Sequence, residues 1–237
     1  MLILDAMEEY CLDCKIKRYS PRTVKNYREL IKLLTRWLEE ECKVTELEAI
    51  RPTHLKRFVL VQEEKGRKPH YINDLLKTYK VFLKYCVQEG YLKDNPAGKI
   101  AWVKQPKVLI RSFNSTEIKG LVSFYDGKDF LSVQDKTMLA VFFDTGMRLN
   151  EVLALTREQI MEERMLVHGK GNKERMVPLS PFLSKQLLKY IRLRDVFFGE
   201  KMTVEPYVFL SRTGHKMTPE AVRKFMLIAA KAVGVRP

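Results

Sequence analysis

Apolar residues recur at helical spacing through the first ninety positions. Val24, Tyr27, Ile31, Leu34 and Leu38 fall three or four residues apart, the interval that puts side chains on one helix face. Ser20-Pro21 stands just ahead of them, an N-cap followed by proline at the first helical position, so a helix is predicted from Pro21 to Glu41. An earlier helix is predicted over Leu2 to Arg18, on Leu2, Ile3, Met7 and Cys11. A third restarts at Arg51-Pro52-Thr53 with Leu55, Phe58 and Val59 inward, and stops in the turn-prone Lys65-Gly66-Arg67-Lys68-Pro69. The fourth runs from His70 to Glu89, burying Ile72, Leu75, Leu76, Tyr79, Phe82, Leu83 and Cys86, with Gly90 as a left-handed cap.

The pattern breaks at Lys93-Asp94-Asn95-Pro96-Ala97-Gly98-Lys99, and the stretch to Ile110 carries Lys99, Lys104 and Lys107 with little periodicity. The chain is therefore expected to divide into a helical domain over residues 1–95, a basic linker over 96–110 and a second domain over 111–237. In that second domain Asn114 and Glu117 stand at capping-box spacing and open a helix to Phe124. Further helices are predicted over Val133 to Phe143, over Pro181 to Asp195, and from Thr218-Pro219 to a closing Gly234. Two alternating segments flank Gly169 to Asn172 as a hairpin, and Tyr207 to Leu210 reads as a short strand. No internal repeat interrupts this order, so the chain is mainly α with a small antiparallel sheet in its second half.

Composition narrows the partners. In 237 residues, 46% hydrophobic and 30% charged, no apolar run reaches the length of a membrane span or a signal peptide, which places the protein in the cytoplasm with no membrane partner. Forty-three Lys and Arg against 29 Asp and Glu give a net charge of +14, which points to a polyanion, most simply double-stranded DNA. The excess is shared: residues 1–105 hold 21 basic and 15 acidic side chains, and 106–237 hold 22 and 14. Both halves are expected to touch the polyanion. Cys11, Cys14, Cys42 and Cys86 lack a second close pair at zinc spacing and read as free thiols, so neither a metal nor a cofactor is expected.

Two cations stand out by their setting. Gly146 lets the chain reverse after the apolar run Met138 to Phe143, and Asn150 is expected to cap the next helix, which leaves Arg148 at a helix start among unpaired N–H groups, a setting suited to holding a phosphate. Lys170 lies in the hairpin turn, placed to reach into a cleft and give a proton to a leaving oxygen. Taken alone, an arginine near a helix start is more often a surface or ion-pairing residue, and a hairpin lysine more often only keeps a turn soluble. Glu151, in the first helical turn, is sufficiently explained by the helix dipole.

Thr145-Gly146-Met147-Arg148-Leu149-Asn150-Glu151-Val152 resembles the first catalytic-arginine box of the tyrosine recombinase (phage integrase) family. Gly169-Lys170-Gly171-Asn172-Lys173-Glu174-Arg175-Met176-Val177-Pro178-Leu179 resembles its catalytic-lysine hairpin. The resemblance implies an N-terminal four-helix, SAM-like core-binding domain and an α+β catalytic domain, clamped around duplex DNA with a basic linker between them. It implies a site-specific DNA strand transferase that works without metal or nucleotide through a 3′-phosphotyrosyl intermediate, with the full-length parent a tetramer on DNA. Arg148 then corresponds to the first arginine and Lys170, the lysine between two glycines, to the general acid, with Lys173 the rejected neighbour.

The same resemblance calls for a His-x-x-Arg box, a further histidine or tryptophan and a tyrosine nucleophile after the helix closed by Gly234. The one literal match, His54-Leu55-Lys56-Arg57, lies far upstream in a helical pattern, and Tyr190 and Tyr207 precede the expected box. The expectation is a catalytic domain truncated at its C-terminus, a fragment without its nucleophile and inactive on its own. The alternatives are a shortened, catalytically inactive DNA-binding regulator and, last, a helical protein-interaction module.

Overall fold

The computed structural model describes residues 1–237 apart from 107, 108, 110, 170–172, 200–203, 236 and 237. It divides into two units, Met1–Leu109 and Ile110–Pro237.

The first unit holds helices α1 (Ile3–Ile16), α2 (Pro21–Cys42), α3 (Pro52–Glu64) and α4 (Pro69–Gln88), with one 3-10 turn at Leu47–Ala49. Each start has the predicted chemistry where a cap was named: Ser20 Oγ accepts from Thr23 N at 3.2 Å, and Pro21 takes the position whose N–H needs no partner. Gly90 sits at φ 81°, as the turn after α4 requires. α2 ends instead on Lys43, a non-glycine in the left-handed region at φ 56°. The apolar faces meet in one core where Trp37, Phe58 and Tyr79 pack edge to face, with ring centroids 5.2 and 5.7 Å apart. Cys11, Cys14 and Cys86 are buried free thiols in that core and Cys42 is half-buried. Burial pushes the Cys86 thiol up to about 12, far from the thiolate form that metals and oxidants attack.

The segment after α4 is not a bare spacer over its first part. The Asn73 amide on α4 donates to Val103 O and accepts from Val103 N, at 2.8 and 2.9 Å, as a neighbouring strand would. Lys80 donates to the carbonyls of Gly98 and Ile100 and lies over the Trp102 ring. Ala97 and Ile100 are buried. Backbone pairing to two side chains of α4 compensates for the missing periodicity, so residues 96–103 lie along that helix.

The second unit comprises α5 (Ser115–Phe124), α6 (Phe130–Thr145), α7 (Leu149–Ala154), strands β1 (Arg164–His168) and β2 (Glu174–Pro178), α8 (Pro181–Phe198) and α9 (Pro219–Val233). The Asn114–Glu117 capping box is closed in both directions at 2.8 Å. α6 begins three residues ahead of its first predicted position because Asp129 Oδ1 accepts from the amides of Leu131 and Ser132. β1 and β2 form a two-stranded antiparallel hairpin with Met165 opposite Val177 and Val167 opposite Arg175. α6 packs on α8 through Val133, Leu139, Leu183 and Leu187. A buried polar chain crosses this contact. The Tyr190 hydroxyl lies 2.7 Å from Gln134 Oε1 and 2.9 Å from Val208 O, while Gln186 Nε2 donates to Thr137 Oγ1 at 3.1 Å.

Two local expectations fail. Tyr207 to Leu210 is no strand: Tyr207 bridges Thr156 and Leu210 bridges Lys216, so its ends pair with different partners and no ladder runs along it. Asn150 does not cap α7. The helix starts at Leu149 with Arg148 as its N-cap residue, and Asn150 lies inside the first turn.

Candidate active site

Three charged side chains from two elements converge in the second unit. Gly146, at φ 61°, ends α6, and Met147, Val152 and Leu153 are buried, which fixes the turn that carries Arg148. Glu151, one turn into α7, folds back: its Oε2 accepts from Arg148 N at 2.9 Å and its Oε1 from Arg148 Nη1 at 3.1 Å. The Arg148 amide is therefore satisfied by a carboxylate, where an open anion-binding N–H was expected. What remains for a ligand is the guanidinium, whose side chain is 76% exposed above a carboxylate that is 6% exposed.

The third member comes from β2. Arg175 donates through Nη2 to Glu151 Oε2 at 2.7 Å and through Nη1 to Oε1 at 3.1 Å, a two-pronged pair. Glu151 thus receives two guanidiniums and an amide. Hydrogen bonds from Arg175 first, then the Arg148 amide and guanidinium, outweigh the opposing effect of burial and bring its carboxyl down to about 2. The group stays ionised throughout the neutral range. One carboxylate against two guanidiniums leaves the cluster with a net positive charge.

The same contacts hold the hairpin against the arginine turn. Ser180 N, just past β2, donates to Asp144 Oδ2 at 3.0 Å, so the hairpin is tied at its base to the end of α6 and at its tip to α7. Gly169 N closes the turn on Lys173 O at 2.7 Å. A side chain at Gly169 would put its Cβ 3.5 Å from both Arg175 Nη1 and Glu151 Oε1. The loop that contains Lys170 therefore leaves β1 beside the cluster. Lys170 itself lies outside the described residues.

Arg175 is the member that sequence reasoning missed, and Glu151 is the one it undervalued. The signal was present in the strand period. In β2 the buried residue is Val177, and Arg175, two positions earlier, shares its face while Met176 points outward and is 44% exposed. An arginine on the inward face of a hairpin needs a buried acid. The tyrosines of this unit are arranged otherwise. Tyr190 is fully buried in the network described above, the Tyr125 hydroxyl donates to Phe225 O at 2.8 Å, and Lys216 lies over the Tyr207 ring.

In the first unit, a groove of about 1040 Å³ runs between the start of α2 and α4, lined by Arg22, Lys25 and Lys77 and by the carboxylates of Glu29 and Asp74 among others. Arg67 lies over Tyr71 at 5.6 Å, which adds another cation at the same edge. Among the described residues no helix is long and apolar enough to cross a membrane.

Comparison with known proteins gives the family and the fold. Residues 111–237 match the phage integrase family, and residues 8–90 match the phage integrase N-terminal SAM-like domain. Tyrosine recombinase XerC of Haemophilus influenzae is 27% identical over 226 residues, covering 94% of this chain and 74% of that protein. Tyrosine recombinase XerC of Pseudomonas aeruginosa is 27% identical over 223 residues, covering 93% and 70%. Among solved structures, a lambda integrase dimer bound to a COC′ core site superposes over 100% of this chain and 83% of its own, at TM-score 0.75 and 15% identity. A lambda integrase tetramer bound to a Holliday junction gives 0.76 at 14% identity, covering 100% and 65%. The Tn1549 transposon integrase in complex with circular intermediate DNA gives 0.73 at 15%, covering 99% and 79%. With its second unit matched throughout and its helical unit matched to the accompanying SAM-like domain, the chain belongs to the phage integrase family of tyrosine recombinases.

Proposed function

We propose that this chain holds duplex DNA by its phosphates and supplies part of a strand-transfer site, with Arg148 and Lys170 acting on one phosphate. The observation that carries this reading is the Arg148 guanidinium: it is oriented by a buried carboxylate yet 76% exposed, and its partner acid is already balanced by Arg175. Such a cation is preorganised for charge that develops on non-bridging phosphate oxygens in a five-coordinate transition state. Lys170, on the loop that begins beside the cluster, is the proton donor to the departing oxygen. The groove between α2 and α4, with three cations against two carboxylates, grips the backbone of the duplex, and the active assembly is a tetramer on DNA. Residues 1–95 and 111–237 act as two modules that each touch the DNA.

Neither Tyr190 nor Tyr125 supplies the attacking hydroxyl in this reading. Tyr190 is sealed in the core with its pKa raised by burial, and the Tyr125 hydroxyl is spent on a backbone carbonyl with its pKa pushed up to about 12. Burial of these two hydroxyls supports the reading that the chain alone binds but does not cut. The same observation is what favours the second reading, a DNA-binding regulator without strand transfer.

A suicide duplex, nicked so that cleavage traps protein on DNA, tests both. The chain alone yields no covalent adduct. A fusion that adds a family segment with a His-x-x-Arg box and a tyrosine yields one, and Arg148→Ala abolishes it. An adduct on any tyrosine of residues 1–237 would overturn the proposal, and failure of the fusion to react despite tight DNA binding would favour the regulator.

A further inference from the structure

We infer that Arg175 is a positioning residue for Arg148: by taking both oxygens of Glu151 it frees the Arg148 guanidinium to face a phosphate instead of its own carboxylate. The inference rests on the phosphate-binding reading above. Glu151 has two oxygens and both are engaged by Arg175, at 2.7 and 3.1 Å, in the geometry that best matches a guanidinium fork to a carboxylate. Arg148 gives the same carboxylate its backbone N–H and one side-chain nitrogen, Nη1. Among the described residues its remaining donors have no partner, and its side chain is 76% exposed against 39% for Arg175. The two arginines thus have different tasks. One balances and fixes the acid, and the other is oriented by it.

Removal of Arg175 changes the division of charge. A carboxylate that is 6% exposed cannot be left without a full counter-charge, and the only other cation bonded to it among the described residues is Arg148. Arg148 then closes on Glu151 with the two-pronged pair that Arg175 vacated, and its charge is cancelled at the phosphate. The hairpin also loses its tie at the tip, while the Asp144–Ser180 bond at its base persists. Arg175 therefore sets the field of the arginine turn and the approach of the Gly169 loop together.

The test is salt-dependent binding of the full chain to a mixed-sequence duplex, for Arg148→Ala, Arg175→Ala, and the doubles R175A/E151Q and R148A/E151Q. Loss of one phosphate contact lowers the slope of log affinity against log salt by about 1 and weakens binding about tenfold. R148A and R175A are both expected to show that loss, although Arg175 faces the carboxylate. Glutamine in place of Glu151 removes the charge that captures Arg148, so R175A/E151Q recovers the slope, whereas R148A/E151Q does not. Recovery in both doubles would mean that only net charge is read, or that Arg175 itself touches phosphate, and recovery in neither would mean that Arg175 only supports the fold; either overturns the inference. R175K, which keeps the charge without the fork, falls between parent and R175A, and it serves in place of R175A if thermal melting shows that the alanine variant does not fold. If R148A binds like the parent, the phosphate reading itself fails; if R148A weakens binding and R175A does not, only the positioning role fails.

Discussion

The charged cluster sets the stability of the second unit in acid. Glu151 has its carboxyl lowered from 4.5 to about 2 in the folded chain while 6% exposed. At about 1.4 kcal/mol for each tenfold change in proton affinity, the ionised group contributes about 3 kcal/mol to folding near neutrality. Because the folded value is the depressed one, that contribution is present above the unfolded pKa and is lost as pH falls from about 4.5 towards about 2. Glu151→Gln removes the charge, keeps one acceptor oxygen and leaves two guanidiniums to repel each other. The expected loss is about 2–3 kcal/mol at pH 7, and the gap narrows by about 1 kcal/mol by pH 3.5. Urea denaturation measures it. Trp37 and Trp102 are the chain's two tryptophans, and both lie in the first unit. Tryptophan fluorescence therefore follows that unit, and the far-UV circular dichroism change not seen by fluorescence follows the second. Glu151→Gln should move the second transition and leave the first. A gap of the same size at pH 7 and pH 3.5, or one below about 0.5 kcal/mol at pH 7, would refute the proton linkage.

Three other outcomes are expected. Asp135, partly buried on α6 and close to the charge of Asp129, has its carboxyl raised to about 7, chiefly by desolvation. A raised carboxylate costs stability above the unfolded pKa, increasingly up to the folded one, so Asp135→Asn should raise the urea midpoint of the second unit at pH 8 and leave it unchanged near pH 3. Tyr190→Phe leaves Gln134 Oε1 and Val208 O without their shared donor in the core, at a cost of about 1–2 kcal/mol by the same assay, and a loss under about 0.3 kcal/mol would refute the network's role. Asn73→Ala frees Val103 from α4, so trypsin, which should cut the parent after Lys104 before Lys99, should cut the variant after Lys99 early; an unchanged order of cleavage counts against the pairing.

Most of the helices were legible because their signals are local. Ser20-Pro21, the Asn114–Glu117 box and Thr218-Pro219 each start a helix at the predicted residue, since a cap depends on atoms three or four positions away in the same segment. The glycine turn before Arg148 and the alternating hairpin were legible for the same reason. The arginine box and the lysine hairpin also carried the family resemblance in their residues alone. Tertiary structure decided what lies beyond that range. Arg175 is 24 positions from Glu151 and Val103 is 30 from Asn73, and no periodicity within either segment names its partner. The same holds for Tyr207 to Leu210, whose β-prone residues find single bridges because, among the described residues, no second strand lies beside them. Sequence by itself thus determined the helices and the hairpin and singled out Arg148, whereas the exposure of that arginine came from the structure. Only the packing of the hairpin on α7 decided that this arginine shares its carboxylate with a second one, because desolvating an acid requires more positive charge than its own helix provides.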